Sequence, residues 1–143
     1  MLAGFAWGLG GFFEKAGLQQ LELPPIAGIT LRSLIALIIL GMLSIPAWKE
    51  IGNPSNLKAW LMIALGGGVI AGSLGMWSFY SALSVTENLG VTLAVAFAFS
   101  PLTGTIVGLV DGSQKMDLKI ALGLGAIIAG IILVQTAHGR SIP

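Results

Sequence analysis

The chain of 143 residues is strongly apolar and almost neutral, with 55% hydrophobic residues, 9% charged residues and a net charge of +1 at pH 7. Soluble domains carry about 25% charged residues, so this composition could hardly form a water-facing surface. The near balance of charge argues against a nucleic-acid partner, and the lack of cysteine excludes disulfides and thiolate metal sites. The sequence therefore indicates an integral membrane protein, for which we expect the cell (inner) membrane.

Five apolar segments with short polar breaks predict an all-α membrane fold of five transmembrane helices. A helix needs about 20 apolar residues to cross the hydrocarbon core. The predicted spans cover residues 2–18, 26–46, 59–83, 89–110 and 118–137. The breaks read "LELPP", "WKEIGNPSNLK", "SVTEN" and "DGSQKMD", which are rich in turn-forming and charged residues. Since no break is long enough to be a domain, residues 1–143 are expected to form a single membrane domain.

The first span contains an adjacent glutamate and lysine, Glu14 and Lys15. Adjacent helix residues point about 100° apart, so these two do not face each other. Glu14 would lie about 18 Å along the helix from Leu2, and a charge at that depth usually faces a bundle interior or a water-filled cavity. The alternative, favoured for Lys15, is that the side chain reaches back to the lipid headgroups. Trp7 lies on the same helix face as Glu14.

The second span carries Arg32, about 10 Å into the helix from Pro25. The short "LELPP" break puts Arg32 on the same membrane side as Glu14, so a contact between the two is geometrically available. Such a pair would lower the cost of both charges. It could be a structural staple or part of a transport path, and the sequence leaves both readings open.

The third span contains Trp77 and Tyr80, which are three residues apart and share a helix face. They could face inward or stand at the lipid interface, where Trp and Tyr are common. Glycine is also abundant, with 21 residues. Pairs one turn apart, such as Gly4 and Gly8, favour close helix packing in lipid, and "GGG" at 66–68 is a hinge candidate.

Several short motifs follow one another in a recognisable order. Trp7 and Gly8 precede Lys15, which is eight residues after the tryptophan, and "LPP" is followed by Arg32, eight residues after Pro24. Then come "FYSAL" at 79–83, "SP" at 100–101 and "ALGLGAIIAGIILV" at 121–134. Over nearly the whole chain this resembles the EamA domain of the drug/metabolite transporter superfamily. The turn "DGSQKMD" departs from the "GER"-like turn usual in that family.

The resemblance implies half of a ten-helix transporter built from two inverted five-span repeats. A second copy in the opposite orientation would complete it, and the basic residues divide almost evenly between the two sides, which allows dual insertion. The expected function is therefore a small secondary transporter, working as an antiparallel homodimer on a small metabolite or drug-like solute, with lipid as its surroundings. No enzyme activity, metal or cofactor is expected. The alternative is a non-transporting helper or packing subunit for another membrane protein.

The resemblance also implies a substrate-binding site near the membrane midplane, between the repeats. Its candidate lining residues are Trp7, Glu14, Arg32, Trp77 and Tyr80. Glu14 is similarly placed to the carboxylate of small multidrug resistance transporters, which alternates between protons and cationic substrates. Glu14 is therefore the candidate for proton coupling.

Overall fold

A computed structural model describes residues 2–139, and all regular secondary structure within that range is helical. The α-helices are α1 (Leu2–Leu21), α2 (Pro25–Leu43), α3 (Trp48–Gly52), α4 (Leu57–Met62), α5 (Met76–Val85), α6 (Leu89–Val110) and α7 (Leu118–Gly139). A 3₁₀ turn, Ile45–Ala47, precedes α3, and a π-helical segment, Ile63–Gly75, joins α4 to α5.

Four helical stretches in the described part of the chain are long and apolar enough to cross a membrane: Pro25–Leu43, Leu57–Val85, Leu89–Val110 and Leu118–Ala137. They confirm the prediction of an all-α protein with membrane-length helices. Helix α1 has sufficient length at 20 residues but is less apolar, because it contains Glu14 and Lys15. The second helix ends at Leu43, earlier than the predicted 46, because the chain turns at Ser44 into the 3₁₀ turn.

The connection between α1 and α2 is a tight helix-terminating turn. Glu22 has a left-handed backbone with φ 51°, and the Leu23 N–H donates to the Leu18 carbonyl at 3.2 Å. This six-residue bond is characteristic of the Schellman motif, in which glycine usually takes the left-handed position. Pro24 and Pro25 then begin α2, where a proline fits because its missing N–H would be unpaired in any case. The turn sends α2 back along α1.

The segment between α4 and α5 is π-helical over 13 residues, whereas π-helices usually last a single turn. The Ser73 hydroxyl donates to the Gly68 carbonyl, five residues earlier, at 3.0 Å. A Cβ on Gly72 would lie 2.8 Å from the carbonyl oxygen of Gly67, also five residues earlier. The predicted hinge glycines 66–68 fall inside this segment, and Gly72 is the position where the π geometry excludes a side chain.

The chain divides after Val85 into two compact units. In residues 2–85, α5 packs against both α1 and α2. The buried apolar side chains there are Leu18, Ile29, Met76, Tyr80 and Leu83.

In residues 86–139, α6 packs against α7, and the connecting turn folds back over the end of α6. The Gln114 N–H donates to the Gly108 carbonyl at 2.8 Å, and a Cβ on Gly108 would lie 3.0 Å from the Gln114 side chain. Hydrogen bonds from Ser113 hold the pKa of the Asp111 carboxyl below its ordinary value. This turn has the sequence "DGSQKMD". It lies so close to Gly108 that a larger residue there would meet the Gln114 side chain.

Candidate functional site

An ion pair joins α1 to α2 within the first unit. The Arg32 Nε atom lies 2.8 Å from Oε1 of Glu14, and the two side chains are 35% and 21% exposed. Glu14 is seven residues before the end of α1 and Arg32 seven residues after the start of α2, so both lie about 10 Å from the connecting turn. The contact between Glu14 and Arg32 that the sequence allowed is therefore present. It places two opposite charges inside helices that consist mainly of apolar residues.

The Arg32 guanidinium also lies over an aromatic ring. Its Cζ atom is 5.4 Å from the centroid of the Trp7 ring, within the range of a cation–π interaction. Trp7 precedes Glu14 by seven residues, or two helical turns, so both project from the same face of α1. Arg32 is thus held between an aromatic ring and a carboxylate from a single helix.

Tyr80 on α5 is the third partner of the ion pair. It lines the same cavity as Glu14 and Arg32 and interacts electrostatically with both of them, and the residue is only 2% exposed. Tyr80 packs beside Gly28, where a Cβ would lie 3.1 Å from the tyrosine Cε1 and 2.5 Å from the Leu18 Cδ2. Because Gly28 has no side chain, α1, α2 and α5 meet closely enough for the tyrosine to reach the carboxylate.

Two cavities in the first unit share the ion pair as part of their walls. The smaller, about 180 Å³, is lined by Ala6, Trp7, Gly10, Gly11, Glu14 and Arg32. The larger, about 360 Å³, is lined by Phe13, Glu14, Gly17, Leu18, Leu21, Leu23, Gly28, Leu31, Arg32, Ile35 and Tyr80. We call these the Trp7 cavity and the Tyr80 cavity. Both adjoin the charged pair. The Trp7 cavity is the smaller, and the Tyr80 cavity has a mainly apolar lining.

Four of the five predicted site residues lie together: Trp7, Glu14, Arg32 and Tyr80. Trp77 is separate, since it is exposed and lines neither cavity. Lys15 also lines neither cavity, as its position 100° around the helix from Glu14 predicts. A cavity of about 640 Å³ near the end of α2 has no ionisable side chain in its lining, and one of about 580 Å³ beside α4 has a single one, Lys58.

The apolar lining of the Tyr80 cavity was not predicted from the sequence. Phe13, Leu18, Leu31 and Ile35 resemble any lipid-facing residues in a chain of this composition. One signal was available at Gly28, which precedes Arg32 by four residues and therefore lies on the same face of α2. A glycine one turn from an intramembrane arginine marks a place where another helix can approach.

Comparison with known proteins identifies a family. The model of the EamA-like transporter family matches residues 1–136. No curated protein and no solved structure matches the chain. The family match covers the ion pair, both cavities and almost all of the chain.

Proposed function

Because the chain belongs to the EamA-like transporter family, we propose that it is a subunit of a small secondary transporter for a small metabolite or drug-like solute. The observation that supports this proposal most directly is the Glu14–Arg32 pair, which lies in mainly apolar helices and borders two cavities. Ionisable groups inside membrane helices are costly, and they commonly line substrate or ion pathways.

The proposed solute site comprises Trp7, Glu14, Arg32 and Tyr80. Trp7 and Tyr80 supply aromatic surface, and the pair supplies one charge of each sign. A solute that binds here has to replace at least part of the contact between Glu14 and Arg32, because both charges already have a partner. Trp77, which is exposed within its own unit, fits a place at the lipid interface.

Proton coupling at Glu14 requires the ion pair to open. A neighbouring guanidinium favours the charged form of a carboxylate, whereas burial disfavours it. In this structure the Arg32 Nε atom lies 2.8 Å from the Glu14 carboxyl group, so that group already has a partner. We propose that movement of Arg32 away from Glu14 during the transport cycle allows the carboxylate to take up a proton.

The proposed assembly is an antiparallel homodimer. Counting α1, the chain has five membrane helices, and two copies in opposite orientations would form a ten-helix inverted repeat. Inverted repeats with a site near the midplane are a recurring transporter design.

Flux through reconstituted liposomes tests this function. Purified protein is screened with radiolabelled amino acids, sugars, amphipathic cations and nucleotide derivatives, with and without a pH gradient. We expect uptake of one class, and we expect Glu14→Gln to abolish its dependence on the pH gradient. Glu50→Gln, which makes the same change on exposed helix α3, is the control and should behave as the unsubstituted protein.

Two results would count against the proposal. No flux for any class, from protein that is folded and inserted, would argue against a transporter. Flux with an unchanged pH dependence in Glu14→Gln would remove the coupling role from Glu14 and leave it as a structural partner of Arg32.

A further inference from the structure

The two cavities follow one another along a single face of α1. Gly10 lines the Trp7 cavity and Gly17 lines the Tyr80 cavity. Glu14 lies between them, four residues after Gly10 and three before Gly17, and residues at these offsets share a helix face. The ion pair is the part of the wall common to both cavities.

We infer that the Glu14–Arg32 pair is a barrier that closes one cavity from the other. The Trp7 cavity lies toward the Leu2 end of α1, and the Tyr80 cavity lies toward the Leu21 end. With the pair formed, a solute or water-soluble reagent that enters one cavity does not pass into the other. Opening the pair joins the two into one path along α1.

Neighbouring side chains hold the ion pair together in this structure. The Arg32 guanidinium lies over the Trp7 ring, and Tyr80 lies beside the pair in the wall of the Tyr80 cavity, where it interacts electrostatically with Glu14. Both charges are therefore fixed by a neighbour from a helix as well as by each other. Tyr80 is a positioning residue in this arrangement, because it acts through Glu14.

This inference rests on the proposed function, since the barrier is a step in moving a solute, but its test needs no solute. The chain contains no cysteine, so each introduced thiol is unique. Gly10 and Gly17 are suitable positions because a Cβ on either meets no atom within 4 Å in the structure. Gly10→Cys and Gly17→Cys therefore report on the two cavities separately.

The experiment measures labelling by a membrane-impermeant methanethiosulfonate reagent added to one face of sealed proteoliposomes. Ser55→Cys, in the turn between α3 and α4, and Gln20→Cys, at the end of α1, calibrate the fraction of molecules that present each side. The barrier predicts that Gly10→Cys is labelled in the same fraction as Ser55→Cys. It also predicts that Gly17→Cys is labelled in the same fraction as Gln20→Cys.

Removing both charges should abolish this sidedness. In the background Glu14→Gln with Arg32→Gln, which leaves no unpaired charge, we expect both cavity thiols to be labelled from either face. The control background is Lys49→Gln with Glu50→Gln, which removes one charge of each sign from exposed helix α3. Its sidedness should match that of the unsubstituted protein.

Three results would overturn the barrier. One is labelling of both cavity thiols from either face while the pair is intact. This result does not depend on whether the double variant inserts into the membrane. The second is retained sidedness in a double variant that is inserted and folded. The third is loss of sidedness in the control background. Sided labelling in a protein that moves no tested solute would uphold the barrier while counting against the proposed function.

Discussion

The Glu14 carboxylate is paired with Arg32, and this makes the cost of removing it depend on the arginine. In Glu14→Gln the guanidinium loses its counter-charge but keeps its place beside Trp7. An uncompensated arginine in a membrane helix costs about 3 kcal/mol at the bilayer centre.

We therefore expect Glu14→Gln to lower the yield of folded protein, and Glu14→Gln with Arg32→Gln to recover most of it. The measurement is the monodisperse fraction after size-exclusion chromatography, with thermal unfolding in the same detergent, for both single variants and the double variant. Additive losses in the double variant would show that the two residues do not stabilise the fold as a pair.

Glu22 is the residue at which the backbone of the first unit departs most from ordinary helix geometry. A left-handed conformation costs an ordinary residue about 1 kcal/mol relative to glycine, and Glu22 adopts it to end α1. We expect Glu22→Gly to raise the thermal unfolding temperature, because the turn is kept and the strain is removed.

The matched control for Glu22→Gly is Gln20→Gly, in the last turn of α1. Glycine within a helix costs about 1 kcal/mol relative to alanine, so the control should lower the unfolding temperature. A Glu22→Gly variant that loses as much stability as Gln20→Gly would mean that the turn is not left-handed at this position.

At the residue scale the sequence predicts the charged part of the site better than the apolar part. Glu14 and Arg32 stand out because charge is rare in this chain, and their equal distances from a three-residue turn set their relative depth. The closeness of Tyr80 depends on how α5 is rotated against α2. That rotation is fixed by the packing of Leu18 and Tyr80 at Gly28, which no spacing rule contains.

At the scale of elements, the membrane-length stretch Leu57–Val85 is the least regular, and Gly72 offers a direct test of its geometry. At Gly72 the carbonyl five residues back lies beside the Cβ position, so alanine there would meet the Gly67 oxygen at 2.8 Å. In an α-helix that carbonyl would be elsewhere. Gly72→Ala should therefore lower the thermal unfolding temperature.

Gly66→Ala is the control for Gly72→Ala, because Gly66 is in the same segment and has open space for a Cβ. Alanine is the better helix former by about 1 kcal/mol, so Gly66→Ala should raise the unfolding temperature. A rise in both variants would indicate that the segment is α-helical in the folded protein.

The extents of the apolar helices follow from composition, whereas their internal geometry does not. Apolar runs bounded by turn residues predicted 89–110 and 118–137, the bounds of two of the membrane-length stretches. The third span was predicted at 59–83 with a hinge candidate at 66–68, but nothing in that pattern distinguishes a π from an α hydrogen-bond register. A run of glycines removes the side-chain contacts that would normally favour one register.

At the scale of the whole molecule, the exposed apolar face of α1 and the partly exposed ion pair leave a surface that further helices can cover. Leu2, Phe5, Leu9 and Phe12 of α1 are all exposed. The Glu14–Arg32 pair itself stays partly exposed, although charges in membrane proteins are usually enclosed by other helices or face water. A second chain is one source of that enclosure.

We expect the protein to be a dimer in mild detergent and in nanodiscs, measured by light scattering or native mass spectrometry. Gly4 and Gly8 lie one turn apart on α1, and a Cβ on either meets no atom within 4 Å. These glycines can therefore admit a helix of another copy, as small residues at this spacing do in membrane dimers. Changing both to isoleucine should shift the protein toward monomer and reduce flux.

In an antiparallel dimer, Ser55→Cys should be labelled from outside in about half of the molecules, because the two orientations are present in equal number. A monomer with full flux would contradict the dimer, and labelling of all molecules or of none would contradict the antiparallel arrangement.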